Sequence, residues 1–291
     1  MKVFLANNSG LGDYILMNGA TRYVAAQPDV EHVDLLCIGS DYKAANVKWM
    51  YRDNPNITIH GEPESNSHKQ GRKKCRRRAK HFPDSDKRCF YWDAFPTWWE
   101  MMPRHGLDCL NNCWPELFYA AHQAPYSARH EYFHVNRDKD KEHKIFNSLN
   151  LPSEYAFCVN KSSRGVHQVN FSNIQLPIFN PDSRPDLIKS CNIFDWMTVI
   201  ENATELHTVD TSWFHLIKQM KLKNLKFFHH VRHINGMQNV FDSCYVNDEH
   251  DKGWTILNKD GNIITSKSQS DERVLDKNGN IIKFKDISSE R

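Results

Sequence analysis

Two short stretches carry residue types that could do chemistry. One is Gly10-Leu11-Gly12-Asp13 near the start; the other is Asp210-Thr211-Ser212-Trp213-Phe214-His215. In the first, glycines flank Leu11 where the chain must reverse, and a bare backbone there lets a ligand approach closely. Asp13 then presents a carboxylate at the mouth of a crevice. In the second, Thr211 and Ser212 stand at the start of a helix, whose first N–H groups favour an anion such as phosphate. His215 lies one turn further in. Each residue also has a purely structural reading. Asp13 could cap its helix, Asp210-Thr211-Ser212 could be a capping cluster, and His215 could pack in a core.

The elements that must position these residues follow from the apolar pattern. Val3-Phe4-Leu5-Ala6 predicts a strand running into the first Gly turn, and Ile15, Leu16, Ala20, Tyr23 and Val24 predict the helix after it. His32–Gly39 and Asn56–Gly61 read as two further strands, with a helix over Tyr42–Arg52 between them. Strand and helix alternating at this spacing predict a parallel sheet with crossover helices. A charged stretch, Asp138–Glu142, opens a helix to Asn150. A second α/β block then begins. Tyr155–Asn160 and Glu205–Val209 read as strands, and Lys161-Ser162-Ser163-Arg164-Gly165 as a loop. Asp195 is the expected N-cap of a helix carrying Trp196, Val199, Ile200 and Ala203. Trp213, Leu216, Ile217 and Met220 stripe the helix that follows Ser212.

The predicted fold is therefore α/β, with two Rossmann-like lobes and a small C-terminal β-hairpin appendage. The expected division is 1–150, 151–249 and 250–291. The tail rests on a repeat, Leu257-Asn258-Lys259-Asp260-Gly261-Asn262-Ile263-Ile264 and Leu275-Asp276-Lys277-Asn278-Gly279-Asn280-Ile281-Ile282, whose Asp-Gly and Asn-Gly pairs are hairpin turns.

Composition narrows the function classes. A net charge of +3 is too small to mark the whole protein as a polyanion binder. No apolar run approaches the roughly 20 residues that span a membrane, and the N-terminus does not read as a signal peptide. The eight scattered cysteines read as reduced thiols of a cytoplasmic protein. No metal site is expected: His229-His230-x-x-His233 lacks the Glu of a zinc-protease helix. Gly10-x-Gly12 lacks the third glycine of a dinucleotide fingerprint, and no P-loop is present.

Gly10-Leu11-Gly12-Asp13 with Ile15, together with Asp210-Thr211-Ser212-x-x-His215, resembles the heptosyltransferase-type (family 9) glycosyltransferases of GT-B fold. The family's early motif reads G-x-G-D and its late one D-T-G-x-x-H, so Ser212 stands in place of a glycine. The likeness covers roughly residues 1–60 and 155–230. It implies a glycosyltransferase that moves a sugar from a nucleotide-sugar donor to a glycan or other hydroxyl acceptor. The reaction would be inverting and metal-independent, with no cofactor beyond the nucleotide-sugar co-substrate. On that footing Asp13 is the catalytic base, and Gly10 and Gly12 form the acceptor-side loop. Lys161, Arg164, Asp210, Thr211, Ser212 and His215 would hold the donor. The first lobe would receive the acceptor and the second the nucleotide.

A second reading treats the chain as an α/β binding module. Eight Lys/Arg lie between Lys69 and Lys80, a basic loop that nucleic acid or another polyanion could contact. A charge run usually forms a solvated loop, and no aromatic residue is interleaved for base stacking, which argues against nucleic acid.

Overall fold

Val3-Phe4-Leu5-Ala6 is apolar without alternation because its strand is covered on both faces, as parallel sheets require. That strand, β1 (Lys2–Asn7), is central in a four-stranded sheet ordered β3-β2-β1-β4, with β2 His32–Ile38, β3 Ile57–Glu62 and β4 Ser85–Cys89. Every pairing in it is parallel. The computed structural model describes residues 1–7, 10–63, 68–89, 105–107, 114–162, 165–220, 222, 225–231, 233–234, 237–238, 254–258, 260–263, 274–275 and 281–282. Arg164 and the Trp98-Trp99 region fall outside them.

The chain divides into two units. The first comprises Met1–Asn150, Arg184–Asn202 and Ser212–Leu222, and the second Leu151–Ser183, Ala203–Thr211 and Lys223–Arg291. The sequence division assigned all of 151–249 to the second lobe; two of its segments instead pack in the first unit. Named contacts account for this. Asn46 accepts the Ile193 N–H at 2.7 Å, and the Trp49 and Phe194 rings stack at 5.1 Å. The buried Glu142 accepts from Arg137 Nε at 2.8 Å and from the Thr198 hydroxyl at 2.7 Å.

In the first unit, α1 (Leu11–Leu16) and α2 (Asn18–Ala25) follow β1, and α3 (Asp41–Met50) follows β2 with Ser40 as its cap. The expected basic loop is a helix, α4 (His68–Ala79). Its Gly71, Cys75 and Ala79 are buried at helical spacing, and Cys75 and Ala79 pack on Phe4, Ala6, Leu36 and Ile38. The charges outnumber this stripe and conceal it in the sequence. Further on are α5 (Trp114–Ala121), α6 (Ala128–Glu131) and α7 (Lys139–Ser148), the last capped by Asp138, which accepts the Lys141 N–H at 3.0 Å. From the later segments come α8 (Pro185–Ser190), a 3-10 turn over Ile193–Trp196, α9 (Met197–Glu201) and α10 (Ser212–Gln219). The cap before α9 is Asn192 rather than Asp195. Asn192 accepts the N–H groups of Phe194 and Asp195, while Asp195 accepts the Asn192 N–H at 2.9 Å and pairs with Lys141.

The second unit holds a five-stranded sheet ordered β13-β10-β9-β5-β8, again wholly parallel: β5 Ala156–Val159, β8 Ile178–Phe179, β9 Glu205–Thr208, β10 Lys226–His230 and β13 Trp254–Leu257. The segment after β5 is a small antiparallel ribbon, β6 (Lys161–Ser162) with β7 (Gly165–Val166), where the sequence suggested a loop. A second ribbon pairs β11 (His233–Ile234) with β12 (Met237–Gln238).

The tail is hairpin-like in part. Leu257 bridges Ile263 in antiparallel fashion across a turn where Gly261 takes φ 82°, and β14 (Val274–Leu275) pairs with β15 (Ile281–Ile282). Trp254–Leu257 belongs to the main sheet, however, because it extends β10 in register from Phe227↔Trp254 to His230↔Leu257. Among the described residues no helix is long and apolar enough to cross a membrane.

Buried histidines give the fold an acid limit. Burial pushes the His122 imidazole down from its ordinary value to about 4. Burial, with the His207 ring beside it, pushes His230 to about 3. An unfolded histidine titrates near its ordinary value, so below about pH 6.5 the unfolded chain binds protons that the folded chain refuses. Stability is fully present above that pH and is lost as the pH falls towards the folded values. The melting temperature is expected to drop by several degrees from about pH 7 to about pH 5. Calorimetry across that range checks this, and His230→Phe should flatten the slope; a slope of zero in the unsubstituted protein would sink the reading.

Candidate active site

Topology selects the crevices. In open parallel sheets, ligands bind beyond the carboxyl ends of the strands where the winding direction reverses. In the first sheet the reversal lies between β1 and β4, on either side of which the crossovers run in opposite directions. Gly10 and the start of α1 lie beyond the carboxyl end of β1, and Gly12, expected in a loop, is in the first turn of that helix. In the second sheet the order β13-β10-β9-β5-β8 reverses between β5 and β9. Lys161 follows β5, and Asp210 and Thr211 follow β9. The Val209 N–H donates to Val159 O at 3.2 Å, so these two segments start side by side.

Helix α1 begins at Leu11, with an extended Gly10 as N-cap. Asp13 is thus the third residue of the helix rather than its cap. The Gly10 N–H donates to Asp13 Oδ2 at 2.8 Å, which orients the carboxylate, and an acid in the first turn suits the helix dipole. Asp13 is half-buried, while Tyr14, Ile15 and Leu16 beside it are buried. The Tyr14 hydroxyl donates to Leu36 O at 2.9 Å and ties α1 to β2.

Gly12 has a contact that the sequence does not reveal. A Cβ built there would lie 2.6 Å from His215 Cδ2 and 3.3 Å from Ser212 Cα. The bare backbone admits the late motif itself: α10 packs on α1, so Gly12, Ser212 and His215 come together within the first unit. The six donor-side candidates are therefore divided. Ser212 and His215 belong to the first unit; Lys161, Asp210 and Thr211 belong to the second. His215 is 5% exposed, with its ring 5.3 Å from that of Phe214. Trp213 meets Trp196 edge to face at 5.9 Å, and Phe214, Leu216 and Ile217 are buried, which fixes the helix that carries His215.

In the second unit Lys161 is exposed, with its Nζ 3.7 Å from Asp182 Oδ1. Thr211 is buried and Asp210 half-buried. Around Lys161 lies a polar cluster that the motif reading missed. His167 Nε2 and Ser162 Oγ are 2.7 Å apart, the His167 N–H donates to Asn160 O at 2.7 Å, and Asn180 Nδ2 donates to Asn160 Oδ1 at 3.3 Å. The available signal was position: Asn160 and Asn180 each stand one residue past the end of a strand, β5 and β8.

A chain of imidazoles lies on β9 and β10. Glu205 Oε2 is 3.3 Å from His207 Nε2, and His207 Nδ1 is 3.1 Å from His230 Nε2. Phe228 stacks on His207 at 4.3 Å and Phe171 meets His230 edge-on at 5.5 Å. Each contact uses a different His207 nitrogen, so these groups run in a line rather than converging on one point. Among the described residues no group of three or more His, Cys, Asp or Glu could hold a metal ion. Burial pushes the Cys158 thiol up to about 12, which keeps it protonated and unreactive.

No protein-family model matches the chain, and no curated protein sequence matches it either. Solved structures do. The glycosyl transferase family 9 protein of Veillonella parvula is 11% identical, covers 92% of this chain and 89% of its own, and has a TM-score of 0.52. The E. coli heptosyltransferase WaaC, solved with ADP, is 11% identical over 93% of this chain and 96% of its own, with a TM-score of 0.43. At such identity the first likeness is one of fold. The α/β architecture of parallel sheets expected from the sequence is the one observed, and the family suggested by the two motifs is one whose fold this chain is similar to.

Proposed function

We propose that this protein is a glycosyltransferase that moves a sugar from a nucleotide-sugar to a hydroxyl acceptor, with inversion and without a metal. The observation that carries the reading is the placement of the two motifs. Asp13 stands at the reversal point of one parallel sheet, and Lys161, Asp210 and Thr211 at the reversal point of the other. The acceptor is a glycan or another saccharide hydroxyl, and the reaction belongs to the cytoplasm.

In this reading the acceptor hydroxyl attacks the anomeric carbon from the face opposite the leaving group. The new C–O bond forms as the bond to the nucleoside diphosphate breaks, which inverts the centre. Asp13 takes the hydroxyl proton in the same step. The departing diphosphate carries away the electron pair and is met by the Lys161 ammonium, Arg164 and the Thr211 hydroxyl. Ser212 and His215 lie at the start of α10, whose leading N–H groups suit phosphate oxygens. Asp210 orders the loop or receives hydroxyls of the donor sugar.

The test is incubation with a panel of nucleotide-sugars, reading both hydrolysis and the melting temperature. One donor is expected to be hydrolysed and to raise the melting temperature; a panel without either effect overturns the proposal. Lys161→Ala should raise the donor KM about tenfold or more, the worth of one charge-assisted hydrogen bond. A donor KM unchanged by that substitution would remove Lys161 from the site.

A further inference from the structure

Helix α4 has an inward face packed on the sheet and an outward face rich in cations. Gly71, Cys75 and Ala79 are buried, and Cys75 and Ala79 sit on the sheet with Phe82 partly buried alongside. Small residues at that spacing let the helix axis lie close to the strands. On the outward side, Lys73, Arg76, Arg77 and Lys80 are exposed at positions i, i+3, i+4 and i+7. One flank is neutralised, because Glu62 meets Arg77 at 3.1 Å and Arg78 at 3.7 Å. The pairs Lys73/Arg77 and Arg76/Lys80 are like charges one turn apart, which weaken a helix. An anionic surface would convert that repulsion into attraction.

A cleft of about 430 Å3 extends the patch, lined by Arg76, Ala79, Lys80, Pro83 and Lys87. Ala79, Pro83 and the lysine stems make an apolar floor beneath a cationic rim. Lys87 Nζ turns back to donate to Pro83 O and Ser85 O at 3.1 and 3.0 Å, so this cleft lies at the amino end of β4. β4 runs parallel to β1, so the cleft and the start of α1 are at opposite ends of the sheet. A partner bound there leaves Asp13 uncovered.

We propose that α4 docks the protein on an anionic lipid bilayer as a peripheral contact. Charge complementarity and shape favour a bilayer over a nucleic acid. The exposed cations from Lys73 to Lys80 have no aromatic side chain interleaved among them to stack on a base. The helix is pressed onto its sheet, so it can lie along a plane more readily than enter a groove. Phospholipid headgroups supply phosphates above an apolar layer, matching the rim and floor of the cleft. This inference is independent of the transfer reaction.

The test is co-sedimentation of the full chain with phosphatidylcholine vesicles, with and without phosphatidylserine, at low and near-physiological salt. Binding is expected only with phosphatidylserine and is expected to weaken with salt. Each cation near such a surface strengthens partitioning about fivefold. The triple variant Lys73→Gln, Arg76→Gln, Lys80→Gln should therefore lose about a hundredfold. These side chains are exposed, and circular dichroism and melting verify that the variant is folded. Equal binding to both vesicle types, or vesicle binding untouched by the triple variant, overturns the proposal. So does duplex DNA or single-stranded RNA that binds more tightly than the vesicles and loses binding in the same variant.

Discussion

Asp13→Asn is expected to slow sugar transfer by about 10²–10⁴-fold, the usual worth of a positioned general base. The substitution is nearly isosteric. The new amide oxygen can still accept the Gly10 N–H, which now reaches Asp13 Oδ2 at 2.8 Å, so the start of α1 keeps its local bond. What is lost is the ability to take a proton. Donor affinity should hardly change, because Asp13 is assigned to the proton of the acceptor and not to the diphosphate. The measurement is kcat beside a direct donor titration and a melting curve. A large fall in donor affinity or in melting temperature, with kcat preserved at saturation, would make Asp13 a structural residue of the helix start.

Gly12→Ala should destabilise the first unit by about 1–3 kcal/mol, the range for overpacking a filled site. The added methyl would lie 2.6 Å from His215 Cδ2. The His215 ring is hemmed in by Phe214, and Ser212 Cα at 3.3 Å is backbone, so neither yields freely. Alanine is the better helix former by about 1 kcal/mol, so any net loss understates the clash. Gly12→Val should cost more. Adding His215→Ala to Gly12→Ala should restore part of the loss, since the pair is in contact and non-additive. Urea unfolding of the four species measures this. Simple additivity would mean that Gly12 has no part in seating α10.

Strands covered on both faces were legible in the sequence, and so was the edge strand β3, expected over Asn56–Gly61 and found over Ile57–Glu62. Val3–Ala6 and the Leu35-Leu36-Cys37-Ile38 run are buried throughout, so their composition announces them. β4, Ser85-Asp86-Lys87-Arg88-Cys89, lies at a sheet edge and carries no apolar run, so nothing in its composition predicts a strand. α4 was hidden for another reason. Its inward stripe is built from Gly, Cys and Ala, which weigh little against so many charges. The site was legible as residue types and illegible as partners. Gly12 reads as a turn glycine until α10 is seen against it, because a contact across two hundred residues leaves no local trace. Asn160, His167 and Asn180 belong to no motif; only the strand ends beside them give them meaning.

The interleaving of the two units has a consequence for synthesis. The four strands of the first sheet have all been made once Cys89 leaves the ribosome, yet Arg184–Asn202 and Ser212–Leu222 complete that unit. At the usual pace of translation the gap lasts roughly ten seconds. Through it, Trp49 waits for the Phe194 ring that will stack on it, and Gly12 for the helix that will press against it. The second unit must start to emerge before the first can close. The nascent chain therefore spends that interval with an unsealed N-terminal half, the period in which a chaperone that covers apolar surface would act.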